Sequence, residues 1–302
     1  MKGPVYLVGP TASGKSAVAL ALAPLIDGEI VSVDSVQVYQ GLDIGSAKPT
    51  RDEQERIPHH LLDVSAVRER FDAARFVTLA REAVASIRKR GKTPIFCGGT
   101  GLYLHAYLHG LGEAPAGDAR LRQELASFSL DEQLEQLRRL DPESFERIDR
   151  RNPRRVERAL EVVLLTGKPF SESRADWASS REQGPLFYGI AWDKELLWRR
   201  IESRAETMMS AGLVEETRAA IAEGLLENLS AAHAIGYRQA IEFLEGRWKH
   251  PELIEEIVLR TRQFAKRQMT WFRGKANVAW TRPENEGDLM KLALDLERSI
   301  QG

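Results

Sequence analysis

Eight consecutive residues constrain this chain most. Gly9, Pro10, Thr11, Ala12, Ser13, Gly14, Lys15 and Ser16 satisfy G-x-x-x-x-G-K-[ST] at every fixed position. The apolar run over residues 4–8 reads as a short buried strand, and Ala17 to Leu25 read as a helix. A glycine-rich loop between a strand and a helix is the setting in which this pattern cradles phosphate. The glycines let backbone N–H groups turn toward a polyanion, and the helix N-terminus adds partial positive charge. Lys15 supplies a full, mobile charge, and the Ser16 hydroxyl can ligate Mg²⁺. A bare strand–helix turn is the competing reading; the agreement of motif and context argues against it. The loop implies a di- or triphosphate site and says nothing about ATP hydrolysis.

The pattern around the loop recurs. Residues 29–33 read as a second strand with Asp34 at its end, and 93–97 as a third, followed by Gly98, Gly99, Thr100 and Gly101. Residues 72–90 carry Ala74, Val77, Ala80, Val84 and Ile87 at helical spacing. Strand, loop and helix in alternation predict an α/β fold: a P-loop NTPase-like parallel sheet core flanked by helices. Ligands of such sheets bind beyond the carboxyl ends of the strands, where Gly14, Asp34 and Thr100 can converge. From Gly41 to Asp63 the chain reads as loop. The texture changes near residue 113. Residues 115–184 are predicted to form an all-helical insertion domain, with 176–184 as loop, and 1–114 with 185–302 to form the core. A strand is expected over 186–192, another around 278–280, and a helix from Asp288.

With 302 residues, 43% hydrophobic and 29% charged, the chain can bury a real core. A formal net charge of −1 means that a nucleic-acid partner must be sought in local patches. The single cysteine, Cys97, excludes a disulfide framework and fits a reducing cytosol. Residues 1–8 are too short for the apolar core of a secretion signal, and no apolar run approaches the roughly 20 residues that span a bilayer. A cytoplasmic protein without membrane contact is expected.

Several residues carry candidate chemistry. Asp34 can hold Mg²⁺ or act as a base beside the loop; a helix N-cap is the ordinary alternative. Thr100 places a hydroxyl on a glycine turn, or caps a helix. Cys97 reads as a small core residue. His59 and His60 lack ligands at metal spacing and read as structural or surface histidines. Two basic patches stand out. Arg147, Arg150, Arg151, Arg154, Arg155 and Arg158 form the first, and Arg260 to Lys275 the second, with Phe264, Trp271 and Phe272 interleaved. Such local excess suits phosphate, and the aromatics could stack on unpaired bases. A solvated helix face with core aromatics is the alternative for each patch.

Gly9 to Ser16, Asp34 to Pro49, Pro58 to Val64 and Gly98 to Tyr103 together resemble the bacterial tRNA dimethylallyltransferases. The resemblance continues through Asn152 to Leu160, Ala234 to Arg238 and Thr261 to Arg273, and so covers nearly the whole chain in order. It implies transfer of the dimethylallyl group of dimethylallyl diphosphate to N6 of the adenosine immediately 3′ of the anticodon. It implies that Gly9 to Ser16 hold the diphosphate, with Mg²⁺ at Ser16, and that Arg204 clamps it. By the same resemblance Asp34 is the general base, and Thr100 lies near both diphosphate and adenosine. Asp34, Ser35, Val36 and Gln37, and Arg154, Arg155, Val156, Glu157 and Arg158, match segments that touch the tRNA anticodon arm. No protein partner is implied, and a monomer is expected. Ser16 and Ser46 stand where threonine also occurs, which keeps the hydroxyls. Two rival readings are a small-molecule kinase, which the loop and Asp34 would also suit, and a non-catalytic RNA-binding protein.

Overall fold

The computed structural model describes residues 3–112, 115, 117–173, 184–247 and 249–301. Six strands, β1 (Val5–Val8), β2 (Gly28–Val33), β3 (His59–His60), β4 (Thr93–Gly98), β5 (Phe187–Ile190) and β6 (Val278–Thr281), form one sheet in the order β3-β2-β4-β1-β5-β6. All neighbours are parallel. Every residue of β1, β2 and β4 is buried, as expected of parallel strands covered on both faces. Tyr6 of β1 stacks on Phe96 of β4, with ring centroids 5.1 Å apart.

The strand register positions the candidate site. Gly98 lies opposite both Val8 and Val33, so β1, β2 and β4 end level with one another. The segments leaving them are the glycine-rich loop, the Asp34 turn and the Gly99–Thr100 turn. They therefore emerge side by side on one edge of the sheet, where ligands of such folds bind.

The chain divides into two compact units, Met1–Leu108 with Ser180–Gly302, and His109–Ser179. The second unit begins at His109, where the helix Gly101–His109 ends, rather than at 115, and stops at Ser179 rather than at 184. Glu113, Ala114 and Ala116 of the expected boundary lie outside the described residues, as does the expected loop over 176–184 up to residue 183.

In the first unit, Lys15–Leu25 packs against Gly287–Gln301 and covers the sheet beside β1. Ala73–Lys89 buries Phe76, Ala80 and Ile87, and Asp72 caps it by accepting from the Arg75 amide at 2.9 Å. Two elements fall inside the stretch expected as loop, the helix Arg51–Arg56 and the strand β3. The helix is too short to show a period. Its signature is the capping box of Thr50 with Glu53. β3 is two residues long and exists only through pairing with β2.

In the second unit the helices Ala119–Leu125, Leu130–Leu140, Pro142–Arg147 and Pro153–Thr166 each begin on a capping side chain: Asp118, Ser129, Asp141 and Asn152. Leu125, Leu137, Val156, Ala159 and Leu160 form its core.

Candidate active site

Gly14 adopts φ +85°, a conformation few L side chains tolerate, and a Cβ there would fall 2.5 Å from Leu289 Cδ1. The glycine thus lets the loop turn tightly into the Lys15–Leu25 helix beneath the C-terminal helix. Lys15 folds back so that its Nζ donates to the Pro10 carbonyl at 3.2 Å. Burial pulls its pKa below the ordinary lysine value; Arg204 pulls the same way, while Cys97 and Asp34 oppose. Burial likewise lowers the Arg204 pKa against the opposing charge of Asp34. Lys15, Arg204 and Asp34 are therefore within electrostatic reach of one another, with two cations facing one carboxylate. A bound polyanion would relieve that excess.

A cavity of about 650 Å³ opens over this cluster. Gly14, Lys15 and Ser16 form one wall, Arg200, Ser203 and Arg204 of the helix Lys194–Ser210 a second, and Ala47, Lys48 and Pro49 a third. Asp34 and Thr100 do not line it; they occupy the adjoining strand ends. Asp34 Oδ1 accepts from the amides of Val36 at 2.8 Å and Gln37 at 3.3 Å. The capping geometry is real, but it closes a turn and opens no helix. The Thr100 amide donates to the Val33 carbonyl at 3.2 Å and so ties the end of β4 to the end of β2. Cys97 lies beneath the loop beside Lys15 and Ser16, and burial pushes its thiol up to about 11, which suits a packing role and not a nucleophile.

The chain matches the family model described as IPP transferase over residues 37–275. It is 42% identical over 295 residues to tRNA dimethylallyltransferase 1 of Trichlorobacter lovleyi, covering 96% of this chain and 97% of that one. It is 45% identical over 281 residues to tRNA dimethylallyltransferase of Geobacter metallireducens, covering 91% of each. Among solved structures it superposes on the full-length tRNA isopentenylpyrophosphate transferase of Bacillus halodurans with a TM-score of 0.71 at 34% identity, covering 100% of this chain and 97% of that one. A eukaryotic dimethylallyltransferase acting on tRNA gives a TM-score of 0.78 at 26% identity, covering 98% and 78%.

The chain belongs to the IPP transferase family.

Within this IPP transferase, several residues that support the loop were not visible as site residues in the sequence. Gln268 accepts from the Thr11 amide at 2.8 Å and donates to the Gly99 carbonyl at 3.1 Å, and so bridges the two glycine turns. Trp192 Nε1 donates to the Ser13 carbonyl at 2.8 Å, and Arg200 Nε to the Ala12 carbonyl at 2.7 Å. The Arg200 guanidinium lies 4.6 Å over the Trp192 ring and pairs with Glu286. Gln268 had one signal: an amide on the face of its helix that also buries Ala265 and Phe272.

The expected RNA-touching segment of the second unit divides. Arg154 and Arg155 are exposed in the first turn of Pro153–Thr166. Val156 is fully buried in the unit's core, so its side chain serves packing and not contact with RNA. Arg158 donates to Glu161 at 2.5 Å and to the Pro115 carbonyl at 2.6 Å. In the long helix His250–Lys275 two of the three aromatics pack inward: Phe272 is buried, and the half-buried Trp271 packs edge-on against His105 at 5.0 Å, whereas Phe264 is half-buried outside the core, with the Arg267 guanidinium 5.7 Å over its ring. Trp271 and Phe272 are therefore packing residues and not platforms for bases. His60, read as a structural or surface histidine, donates from Nε2 to the buried Glu29 carboxylate at 2.7 Å.

Proposed function

We propose that this IPP transferase moves the dimethylallyl group of dimethylallyl diphosphate onto N6 of the adenosine immediately 3′ of the anticodon of tRNA. The observation that carries the reading is the convergence of Lys15, Ser16 and Arg204 on one cavity, at the sheet edge where Asp34 and Thr100 also emerge.

The chemistry follows from the residues. The C1–O bond of the allylic diphosphate breaks, and its electron pair leaves with the diphosphate. Lys15, Arg204 and the loop amides stabilise that developing charge in a half-buried setting where charge interactions are strong. The N6–C1 bond forms, and the N6 proton passes to Asp34, whose Oδ1 is held by two amides while Oδ2 takes the proton. Thr100, fixed to Val33, orients the amine. An adenine stacked in an anticodon loop must be extruded to reach the allylic carbon.

The donor set fits Mg²⁺. Among the described residues no group of three or more His, Cys, Asp or Glu could hold a metal by itself. The exposed Ser16 hydroxyl, with diphosphate oxygens and water, is the kind of set Mg²⁺ accepts. Bound there, the ion would supply further neutralisation of the leaving diphosphate.

Arg154 and Arg155 sit at a helix N-terminus, where phosphate is also favoured by the helix dipole, and they grip the anticodon arm. Among the described residues no helix is long and apolar enough to cross a membrane. A tRNA substrate suits a cytoplasmic enzyme.

The test is direct. Protein, Mg²⁺ and unmodified tRNA are incubated with labelled dimethylallyl diphosphate, then separately with labelled ATP, and the RNA is digested for mass analysis. One prenylated anticodon-loop adenosine is expected. Label passing from ATP to a small acceptor, with none from the prenyl donor in RNA, would make the protein a kinase; tight tRNA binding with transfer of neither label would make it a binding protein.

A further inference from the structure

The segment from Asp43 to Pro49 contributes Ala47, Lys48 and Pro49 to the cavity wall, yet nothing in the chemistry of prenyl transfer explains why it stands where it does. Its support comes from far along the chain. Glu216 lies in the first turn of the helix Leu213–Ala222. Its Oε2 accepts from the amides of Asp43 at 2.9 Å and Ile44 at 2.7 Å, and its Oε1 from the Gly45 amide at 3.1 Å. Three successive N–H groups turned toward one anion form a nest, here filled by the protein's own carboxylate. The Tyr237 hydroxyl donates the fourth bond, to Oε1 at 2.7 Å. Tyr237 is fully buried; burial and the adjacent Glu216 charge raise its pKa well above the ordinary phenol value, so it remains a donor. Gly45 lies flat on this pair, and a Cβ there would fall 2.6 Å from Tyr237 Cζ.

The far side of the segment reaches the second substrate's residues. Gln37 Nε2 donates to the carbonyls of Ser46 at 3.2 Å and Ala47 at 3.1 Å. Its Oε1 accepts from Ser32 Oγ at 2.8 Å, and its amide donates to Asp34 Oδ1. Lys48, whose side chain is 3% exposed, donates to the Tyr39 carbonyl at 2.9 Å and pairs with Asp43 and Asp63. The carboxylate therefore holds a rigid span running from the diphosphate cavity to the Asp34 turn.

We propose that Glu216 is a positioning residue, whose carboxylate in the nest of amides 43–45 sets the Ala47–Pro49 wall against the diphosphate and, through Gln37, the Asp34 turn. The proposal rests on the diphosphate-binding reading of the cavity. The isosteric Glu216→Gln replaces one acceptor by a donor that confronts the same N–H groups. Three measurements on the full chain test it: hydrogen exchange at the amides of Asp43, Ile44 and Gly45, calorimetric affinity for inorganic diphosphate with Mg²⁺, and steady-state prenyl transfer. E216Q should speed exchange at those three amides while the β1 and β4 amides keep their protection. It should weaken diphosphate binding and raise the KM for dimethylallyl diphosphate about tenfold, and lower kcat as the Asp34 turn loosens, misplacements of this kind being costly to catalysis. A purely structural role would lower the melting temperature without touching affinity or KM. Wild-type diphosphate affinity, KM and kcat in folded E216Q overturn the proposal and leave the transferase reading intact. A wild-type protein that transfers no prenyl group, yet binds diphosphate more tightly than E216Q, overturns that reading and supports the proposal. Should E216Q fail to fold, Tyr237→Phe removes one donor from the same carboxylate, and affinity and kcat equal to wild type would overturn the proposal there.

Discussion

At the scale of single residues the site is a matter of where charge is held. Lys15 is poised between a carbonyl, a second cation and one carboxylate. Lys15→Ala should abolish measurable binding of inorganic diphosphate by calorimetry while the circular dichroism spectrum stays that of the wild type, because the loop's backbone is shaped by Gly14 and by the bonds from Trp192 and Gln268. Asp34 closes a turn, and in the proposed reaction it also accepts the N6 proton. Asp34→Asn keeps an oxygen for the amides of Val36 and Gln37 but removes the base. Turnover should fall by about 10²–10⁴ while tRNA affinity changes little; single-turnover kinetics beside filter binding would separate the two, and an equal loss in both would assign Asp34 to binding.

At the scale of elements, charge fastens helices in both units. Glu161 is fully buried in the second unit, bonded by Arg122 at 2.7 Å, Arg158 and the Asp118 amide. Removing Glu161 takes away the one acceptor that Arg122, Arg158 and the Asp118 amide share, so Glu161→Ala should cost about 1–3 kcal/mol of that unit's stability. Loss of RNA binding in this variant would then report unfolding. Arg154 and Arg155 are the informative substitutions: replacing both by alanine should weaken tRNA binding and flatten its salt dependence by about one unit of slope per lost phosphate contact. An unchanged slope would make this helix face merely solvated. In the first unit Glu29 of β2 is fastened by Arg90 and His60. Burial works to raise its pKa, but the hydrogen bonds from these two hold it below the ordinary carboxylate value. A depressed folded pKa means stability present above the unfolded value of about 4.3 and lost as pH falls through the folded one. The melting temperature should therefore drop more steeply below that pH in the wild type than in Glu29→Gln.

At the scale of the molecule, the candidate site lies where three strands end level, so occupancy by the proposed diphosphate should stabilise the sheet as a whole. Saturating Mg²⁺ and diphosphate, at a hundred times the dissociation constant, should add about 2.7 kcal/mol, read as a rise in thermal midpoint that Lys15→Ala lacks. Much of this architecture was legible in one dimension. The phosphate loop, the strands β1, β2 and β4 and the helix Ala73–Lys89 announce themselves because glycine dihedrals, apolar runs and helical spacing are local properties. Strand β3 and the short helix Arg51–Arg56 did not, since two residues carry no period and six barely one turn. Local pattern shows which face of an element is apolar, but not what will cover it. Only the folded chain decides that Gly98 stands opposite both Val8 and Val33, and that Trp271 and Phe272 are packing and not base platforms. Only the folded chain, too, brings Gln268 to an amide 257 residues away and sets Glu216 in a nest 171 to 173 residues upstream. Such bonds depend on the relative placement of whole elements, which is set by the summed packing of the core and is not written at either end of the bond.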